Sequence, residues 1–297
     1  MLFRSAAVIN ALAIGGEVAV VGLGRSGRAA ALLLRRDGAT VYASDGGTGA
    51  LVERTAAELR ALGVDARTGG HDLDRIARAS VVVASPGVPP DAAPLACAVA
   101  RGVPIVSEVE VALGHLAAAR VIAVTGTNGK TTVTALVDHL LRALGRDSVA
   151  AGNIGLALAE VALREPPPAW VALEVSSFQL HDTPSLSPAV GILTNLAPDH
   201  LDRYPALEDY YADKMRLFSN ATDASVWSPT PTIPRSSAGR RACGGSASGS
   251  RCATTAPTPS FRVPATSSST RPRSCRAPAC RCSATTTSPT RSPPCSR

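Results

Sequence analysis

The sequence predicts an α/β protein with two successive parallel sheets, followed by a segment that cannot build a core. Three observations carry this. Short β-branched runs ending in glycine turns alternate with helical segments from residue 17 onward. The alternation starts afresh at residue 120, about one domain's length into a 297-residue chain. From residue 228 only Ser, Thr, Pro, Arg, Ala, Gly and Cys dominate, and no hydrophobic period survives.

The elements follow in order. "EVAVVGLG" (17–24) is a buried strand running into glycines, and "RAAALLLRRDG" (28–38) has helical spacing that closes on Gly38. "TVYASD" (40–45) and "SVVVASPGVP" (80–89) are the next strands, and "PIVSEVEVALGHL" (104–116) continues the alternation. Apolar runs without polar alternation fit a parallel sheet covered on both faces. "RVIAVTG" (120–126) opens the second unit. After it come a helix from Thr131 to Leu144, strands in "AWVALEVS" (169–176) and "VGILTNL" (190–196), and a helix around 207–221. The expected division is 1–118, 119–227 and a disordered tail, 228–297.

The charge is unevenly placed. The net formal charge is +7, but residues 228–297 hold 11 arginines, no lysine and no acid. The first 227 residues therefore carry 19 basic against 23 acidic side chains, a net of −4. The basic balance belongs to the tail, so no nucleic-acid partner is expected of the folded part. Cys97 stands alone in that part, which fits a reducing, cytoplasmic setting. No apolar run reaches 18 residues, so no membrane insertion is expected. The six tail cysteines show no C-x-x-C and no histidine, which argues against a metal site there.

Two glycine turns carry the chemistry. In "VVGLGRSG", Gly22, Gly24 and Gly27 form G-x-G-x-x-G between a strand and a helix. Such glycines bring backbone N–H groups and a helix N-terminus against a diphosphate, the Rossmann-like arrangement. Asp45, at the end of the second strand, stands where an acid can bind a ribose hydroxyl. Alone, this turn leaves open an NAD(P)-dependent oxidoreductase, another phosphate ligand, or a tight turn without one. The second turn is "AVTGTNGKTTVTAL" (123–136), again between a strand and a helix. Here Lys130 is a point cation for outer phosphates and the Thr131 hydroxyl can ligate Mg²⁺, as in a P-loop ATPase. Two phosphate loops in succession are hard to reconcile with a simple dehydrogenase.

Glu174 ends one strand of the second unit and His200 follows another, on the edge that lines a ligand crevice, where they suit a divalent cation. The chain has 28 arginines but only two lysines, Lys130 and Lys214. A lysine kept where arginine serves as the general cation points to chemistry that only an amine can do. For Lys214 that chemistry is carbon dioxide capture as an anionic carbamate.

Taken together, "TGTNGKTT" (125–132), "GNIG" (152–155), "EVSSFQL" (174–180), "TNLAPDHLDRY" (194–204) and "YYADKMRLF" (210–218) resemble the Mur ligases of peptidoglycan synthesis. "GLGRSG" (22–27), "SPGVP" (85–89) and Phe178-Gln179-Leu180 resemble the branch that adds D-glutamate. The resemblance covers about residues 17–227. It implies ATP-driven amide formation between UDP-N-acetylmuramoyl-L-alanine and D-glutamate through an acyl phosphate. It also implies two Mg²⁺ sites, with Mn²⁺ as the alternative, and a monomer. Gly126, Thr127, Asn128, Gly129, Lys130, Thr131 and Thr132 would bind ATP. Thr131, Glu174, His200 and a carbamylated Lys214 would hold metal. Gly22, Gly24, Arg25, Ser26, Gly27, Asp45, Ser85, Asn153, Ser176 and Gln179 would contact the UDP-sugar substrate, so the first turn would hold UDP rather than NAD.

One departure is large. The family's third domain is missing, and the central domain is incomplete. Read one base out of frame, "SPTPTIPR" (228–235) permits Val-Ala-Asn-Ala-Asp-Asp-Pro-Ala, which resembles the family at this point. A base lost near the Trp227 codon would explain the tail. The chain as written would then be a weak UDP-sugar binder, or a non-catalytic fragment.

Overall fold

The computed structural model describes residues 15–222 and 224–229. The expectations for residues 1–14 and for the tail from 230 lie outside the described residues.

The first sheet is built from β1 (Glu17–Val21), β2 (Thr40–Ser44), β3 (Asp65–Arg67), β4 (Val81–Ala84) and β5 (Ile105–Ser107), in the order β3-β2-β1-β4-β5. The pairings are parallel, with Val18 opposite Val41 on one side and Val81 on the other. Helices α1 (Arg25–Arg36), α2 (Ala50–Ala61), α3 (Leu73–Arg78) and α4 (Ala93–Ala100) cover it. Both faces of β1 are buried. Val18 and Val20 join the core with Leu33 and Leu34 of α1, while Ala19 and Val21 pack with Ile76, Val82 and Leu95. This is why β1 reads as an unbroken apolar run. The strand order reverses between β1 and β4, which opens a crevice at their carboxyl ends.

The second sheet comprises β6 (Arg120–Thr125), β7 (Ser148–Gly152), β8 (Trp170–Glu174), β9 (Val190–Leu193) and β10 (Val226–Pro229), in the order β10-β9-β6-β8-β7. Helix α5 (Glu108–Leu113) leads into it, and α6 (Lys130–Ala143), α7 (Leu158–Ala162), α8 (Ser177–His181) and α9 (Leu207–Met215) accompany it. The two sheets share one apolar cluster, in which Leu33 of α1, Val109 of α5 and Leu158 and Val161 of α7 are fully buried. Each such side chain stabilises by about 1.5–3 kcal/mol, so the join between the sheets is part of the core. Glu108 adds a polar tie, because its carboxylate accepts from the Ala159 N–H in the first turn of α7.

Several elements were not read from the sequence: α2, α3, α4, β3, β7, α7, α8 and β10. Most are short, and α4, with Pro94 in its first turn, is apolar nearly all round. Helix α9 stops at Met215 and continues as a 3₁₀ turn, Arg216–Phe218. The folded part, expected to end at Trp227, runs on as β10 through Ser228 and Pro229, which pair with Ile192 and Leu193. A proline at the last position of a strand is tolerated because little of the ladder depends on its missing N–H. Trp227 lies against Gly191, where an added Cβ would come 2.3 Å from its ring, and it meets Phe218 edge-on at 4.9 Å between centroids.

Candidate functional site

The first glycine turn is a rigid wall. Gly22 has φ +93°, and its N–H donates to the Ser44 carbonyl. The Ser85 hydroxyl donates to the Gly22 carbonyl at 2.9 Å, fixing the turn against the loop after β4. A Cβ on Gly27 would lie 1.8 Å from the Gly22 oxygen, so α1 approaches the turn as closely as only glycine permits. Above the turn lies a cleft of about 630 Å³. Gly22, Gly24, Arg25, Ser26, Asp45 and Ser85 line it from the first sheet, and Asn153 and Gln179 from the second. The Arg25 guanidinium donates to the Gly155 carbonyl, joining the "GNIG" turn to the first glycine turn.

Asp45 has a different immediate task from the ribose contact expected of it. One carboxylate oxygen accepts from the Leu23 N–H at 2.7 Å and the other from the Gly47 N–H at 2.8 Å. It braces the glycine turn while it lines the cleft. Ser176 and Gln179 are likewise engaged with each other. The Ser176 hydroxyl caps α8 by accepting from the Gln179 N–H at 3.2 Å, and Gln179 Oε1 accepts from the Ser176 N–H at 3.0 Å. This capping box turns the Gln179 amide nitrogen away from Ser176, and that buried nitrogen has no protein partner.

The second loop bends through Gly126, φ +144°, and enters α6 at Gly129, φ +78°. A Cβ on Gly126 would sit 1.9 Å from Thr194 Oγ1, so the loop is pressed onto the end of β9. Asn195, to which no role was assigned from the sequence, clamps it. Its Oδ1 accepts from the Asn128 N–H and its Nδ2 donates to the Asn128 carbonyl, both at 2.9 Å. Tyr210 reaches the Thr127 hydroxyl at 3.1 Å. The N–H groups of the first helical turn, which includes Lys130, Thr131 and Thr132, have no intrahelical acceptor and form an anion-binding end. Lys130 folds back, and its ammonium donates to the Thr127 carbonyl at 2.8 Å.

Glu174 joins the two regions. It is 1% exposed, and Oε2 accepts from the Thr131 hydroxyl while Oε1 accepts from the Asn153 amide, each at 2.9 Å. Lys214 is 2% exposed and donates to the Gly126 carbonyl at 2.8 Å. Burial, and then the neighbouring charge of Lys130, hold its amine down at about 7. Asp213, beside it, gathers three donors: His181 Nδ1 at 2.8 Å, Arg216 Nε at 2.9 Å and the Tyr204 hydroxyl at 3.1 Å. These contacts with His181 and Arg216, and its hydrogen bond from Tyr204, hold its carboxyl below the usual range despite burial, the largest opposing influence.

Thr131, Glu174 and Asn153 thus stand together, and the ammonium groups of Lys130 and of Lys214, the latter from α9, hold carbonyls of the loop beside them. His200 stands apart from Glu174 in its contacts. Its backbone is left-handed, φ +52°, its ring packs against Phe178 and Tyr210 at 5.4 and 6.0 Å, and Asp199 is its charged neighbour at 3.8 Å. Among the described residues no group of three or more His, Cys, Asp or Glu forms a metal cluster. Among them, too, no helix is long and apolar enough to cross a membrane. His71, absent from the sequence expectations, lines the first cleft. No spacing could have linked it to the glycine turn, because β3 brings it there only through the sheet.

Comparison with known proteins agrees with this layout. Residues 16–107 match the model described as "Mur ligase MurD-like, N-terminal domain", and residues 124–229 match "Mur ligase middle domain". The chain is 40% identical over 208 residues to the UDP-N-acetylmuramoylalanine--D-glutamate ligase of Acidobacterium capsulatum, covering 70% of this chain and 45% of that protein. It is 43% identical over 199 residues to the ligase of that name from Nostoc sp., covering 67% and 43%. For the ligase of that name from Anaeromyxobacter dehalogenans the figures are 42% over 221 residues, 74% and 47%. The chain therefore spans somewhat less than half the length of these relatives. With one family model on each of its sheets, the chain belongs to the Mur ligase family.

Proposed function

We propose that this chain carries the nucleotide-sugar and ATP halves of an ATP-dependent ligase that joins D-glutamate to UDP-N-acetylmuramoyl-L-alanine. The observation that carries the reading is Glu174, whose carboxylate holds Thr131 of the ATP loop with one oxygen and Asn153 of the UDP-sugar cleft with the other. A substrate carboxylate in the cleft and the outer phosphate of ATP would meet at that point.

In the reaction, the carboxylate of the alanyl end attacks the γ-phosphorus, ADP leaves, and an acyl phosphate results. The D-glutamate amine then attacks the acyl carbon and phosphate departs with its bridging oxygen. Positioning and charge neutralisation carry most of the rate. The first-turn N–H groups of α6 and Lys130 bind and orient the phosphates. Gly22, Gly24, Arg25, Ser26, Gly27, Asp45 and Ser85 seat the UDP end, and Asn153, Ser176 and Gln179 the sugar and its acyl arm. The unpartnered Gln179 amide nitrogen supports this, since it calls for an acceptor in the cleft.

Mg²⁺, the family's usual ion, fits the buried carboxylate of Glu174 beside the Thr131 hydroxyl, and a carbamylated Lys214 would add an anionic donor, whereas His200 stands apart from Glu174 in its contacts. When bound it would neutralise charge on the transferring phosphoryl group. The lowered basicity of the Lys214 amine supports carbamate formation, which needs the neutral amine. We take residues 1–118 and 119–227 as the two domains, and the protein as cytoplasmic and monomeric. The test is phosphate release from ATP that depends on both UDP-N-acetylmuramoyl-L-alanine and D-glutamate, in the chain as written and in a chain with the frame restored near Trp227. Release from the restored chain without need of either substrate would overturn the reading.

A further inference from the structure

The cleft contains one ionisable side chain that neither glycine loop accounts for. His71 lies beyond the end of β3, and the backbone laces its loop to the one after β2. The Asp45 N–H donates to the Arg67 carbonyl at 3.0 Å, the Gly70 N–H to the Asp45 carbonyl at 3.2 Å, and the Gly69 N–H to the Gly47 carbonyl at 3.1 Å. Of the four glycines in these loops, Gly46, Gly47, Gly69 and Gly70, it is Gly46 that lines the cleft with the imidazole. Its Nδ1 is bound to the fully buried Ser44 hydroxyl at 2.9 Å. The other ring nitrogen, Nε2, faces Gly46, where a Cβ would stand 3.5 Å away, and both residues line the cleft.

The direction of a nucleotide in the cleft follows from the sheet order. A diphosphate belongs at the glycine turn after β1. From there the cleft runs one way to Asn153 and Gln179, toward the phosphate loop, and the other way to the carboxyl ends of β2 and β3. The reacting arm must take the first path, so the base takes the second. Asp45 already braces Leu23 and Gly47 with its two oxygens. Nε2 of His71 is a second side-chain group at the base end, and Ser44 occupies only the other ring nitrogen.

We propose that His71 is the specificity-determining residue for the nucleotide base, with its Nε2 hydrogen-bonding the imide edge of a uracil lodged beside Gly46. This rests on the nucleotide-sugar reading above. Burial keeps the imidazole less basic than usual, against the pull of Asp45, so it meets the base uncharged and is no counter-ion for the diphosphate. Ser44 is a positioning residue that fixes the ring.

The test is calorimetric titration of the full chain with UDP and with CDP, and with ATP as the control for an intact second loop. The wild type should prefer UDP to CDP. His71→Ala should weaken UDP at least tenfold and abolish the preference, while ATP binding stays within twofold. His71→Gln, which restores a polar group at that reach, should recover part of the UDP affinity. UDP affinity in His71→Ala within twofold of wild type, or an unchanged UDP-to-CDP ratio, overturns the proposal. A wild type that binds ATP but no uridine nucleotide overturns both this and the nucleotide-sugar reading.

Discussion

The hydroxyl of Thr131 and the carboxylate of Glu174 lie 2.9 Å apart, joining the first turn of α6 to the last residue of β8. The contact couples the phosphate loop to the strand beside it, and Asn153 extends the link to the UDP-sugar cleft. Lys130 supplies the positive charge at this junction. In the frame-restored chain, Lys130→Ala is expected to cut substrate-dependent phosphate release about a hundredfold, roughly 2.7 kcal/mol, as for loss of a preorganised charge contact. Steady-state release at saturating substrates measures it, and a loss below tenfold would remove Lys130 from its assigned role.

Gly27 tests the geometry of the first turn. Its φ is ordinary, so the cost of a side chain there is steric, with the Gly22 oxygen 1.8 Å from an added Cβ. Gly27→Ala should destabilise by about 1–3 kcal/mol, as overpacked sites do, and should weaken UDP binding by displacing the turn. Urea midpoints and UDP titration read the two effects. Wild-type stability would mean that α1 stands farther from the turn.

Glu108 predicts a pH dependence. Burial raises its carboxyl to about 7, against the helping Ala159 N–H, and its second oxygen has no partner. Because the folded-state value lies above the unfolded one, the group's stabilising contribution is complete below about pH 4.5. It is lost as pH rises through 7. Glu108→Gln stays uncharged, so its stability relative to wild type should improve between pH 5 and pH 8 by up to roughly 3 kcal/mol. A difference in urea midpoint that does not change over this range would contradict the assignment.

Asp213 should hold Lys214 in place. Asp213→Ala leaves the Tyr204, His181 and Arg216 donors without their common acceptor, at a cost of about 2 kcal/mol. Asp213→Asn should lose less. With ¹³C-labelled carbon dioxide, the wild type should show a carbamate resonance that Lys214→Arg lacks and Asp213→Ala reduces. A carbamate signal of full strength in Asp213→Ala would separate the two residues.

The sheets were legible wherever burial on both faces leaves an unbroken apolar run, as in β1 and β6, and where glycine must follow, as at Gly22 and Gly126. Motifs contiguous in the chain were equally readable, so Lys130, Thr131 and Glu174 could be named from the sequence. What stayed hidden depends on partners far apart in sequence. That Asp45 braces Leu23, that Asn195 clamps Asn128, and that His71 reaches the cleft over β3 are facts of strand order rather than spacing. Strand β10 escaped because Ser228 and Pro229 look like the start of the tail, and only pairing with Ile192 and Leu193 makes them sheet.

The seat of Trp227 on Gly191 gives the chain its own optical gauge. The protein has only two tryptophans, and the other, Trp170, lies under the Arg120 guanidinium at the start of β8. Trp227 is on β10, the edge strand next to β9, and faces Phe218 of the 3₁₀ turn after α9. In a Trp170→Phe background, emission would report on that strand alone, shifting red as it peels into water. The edge strand that carries the last described residues could thus be followed by colour.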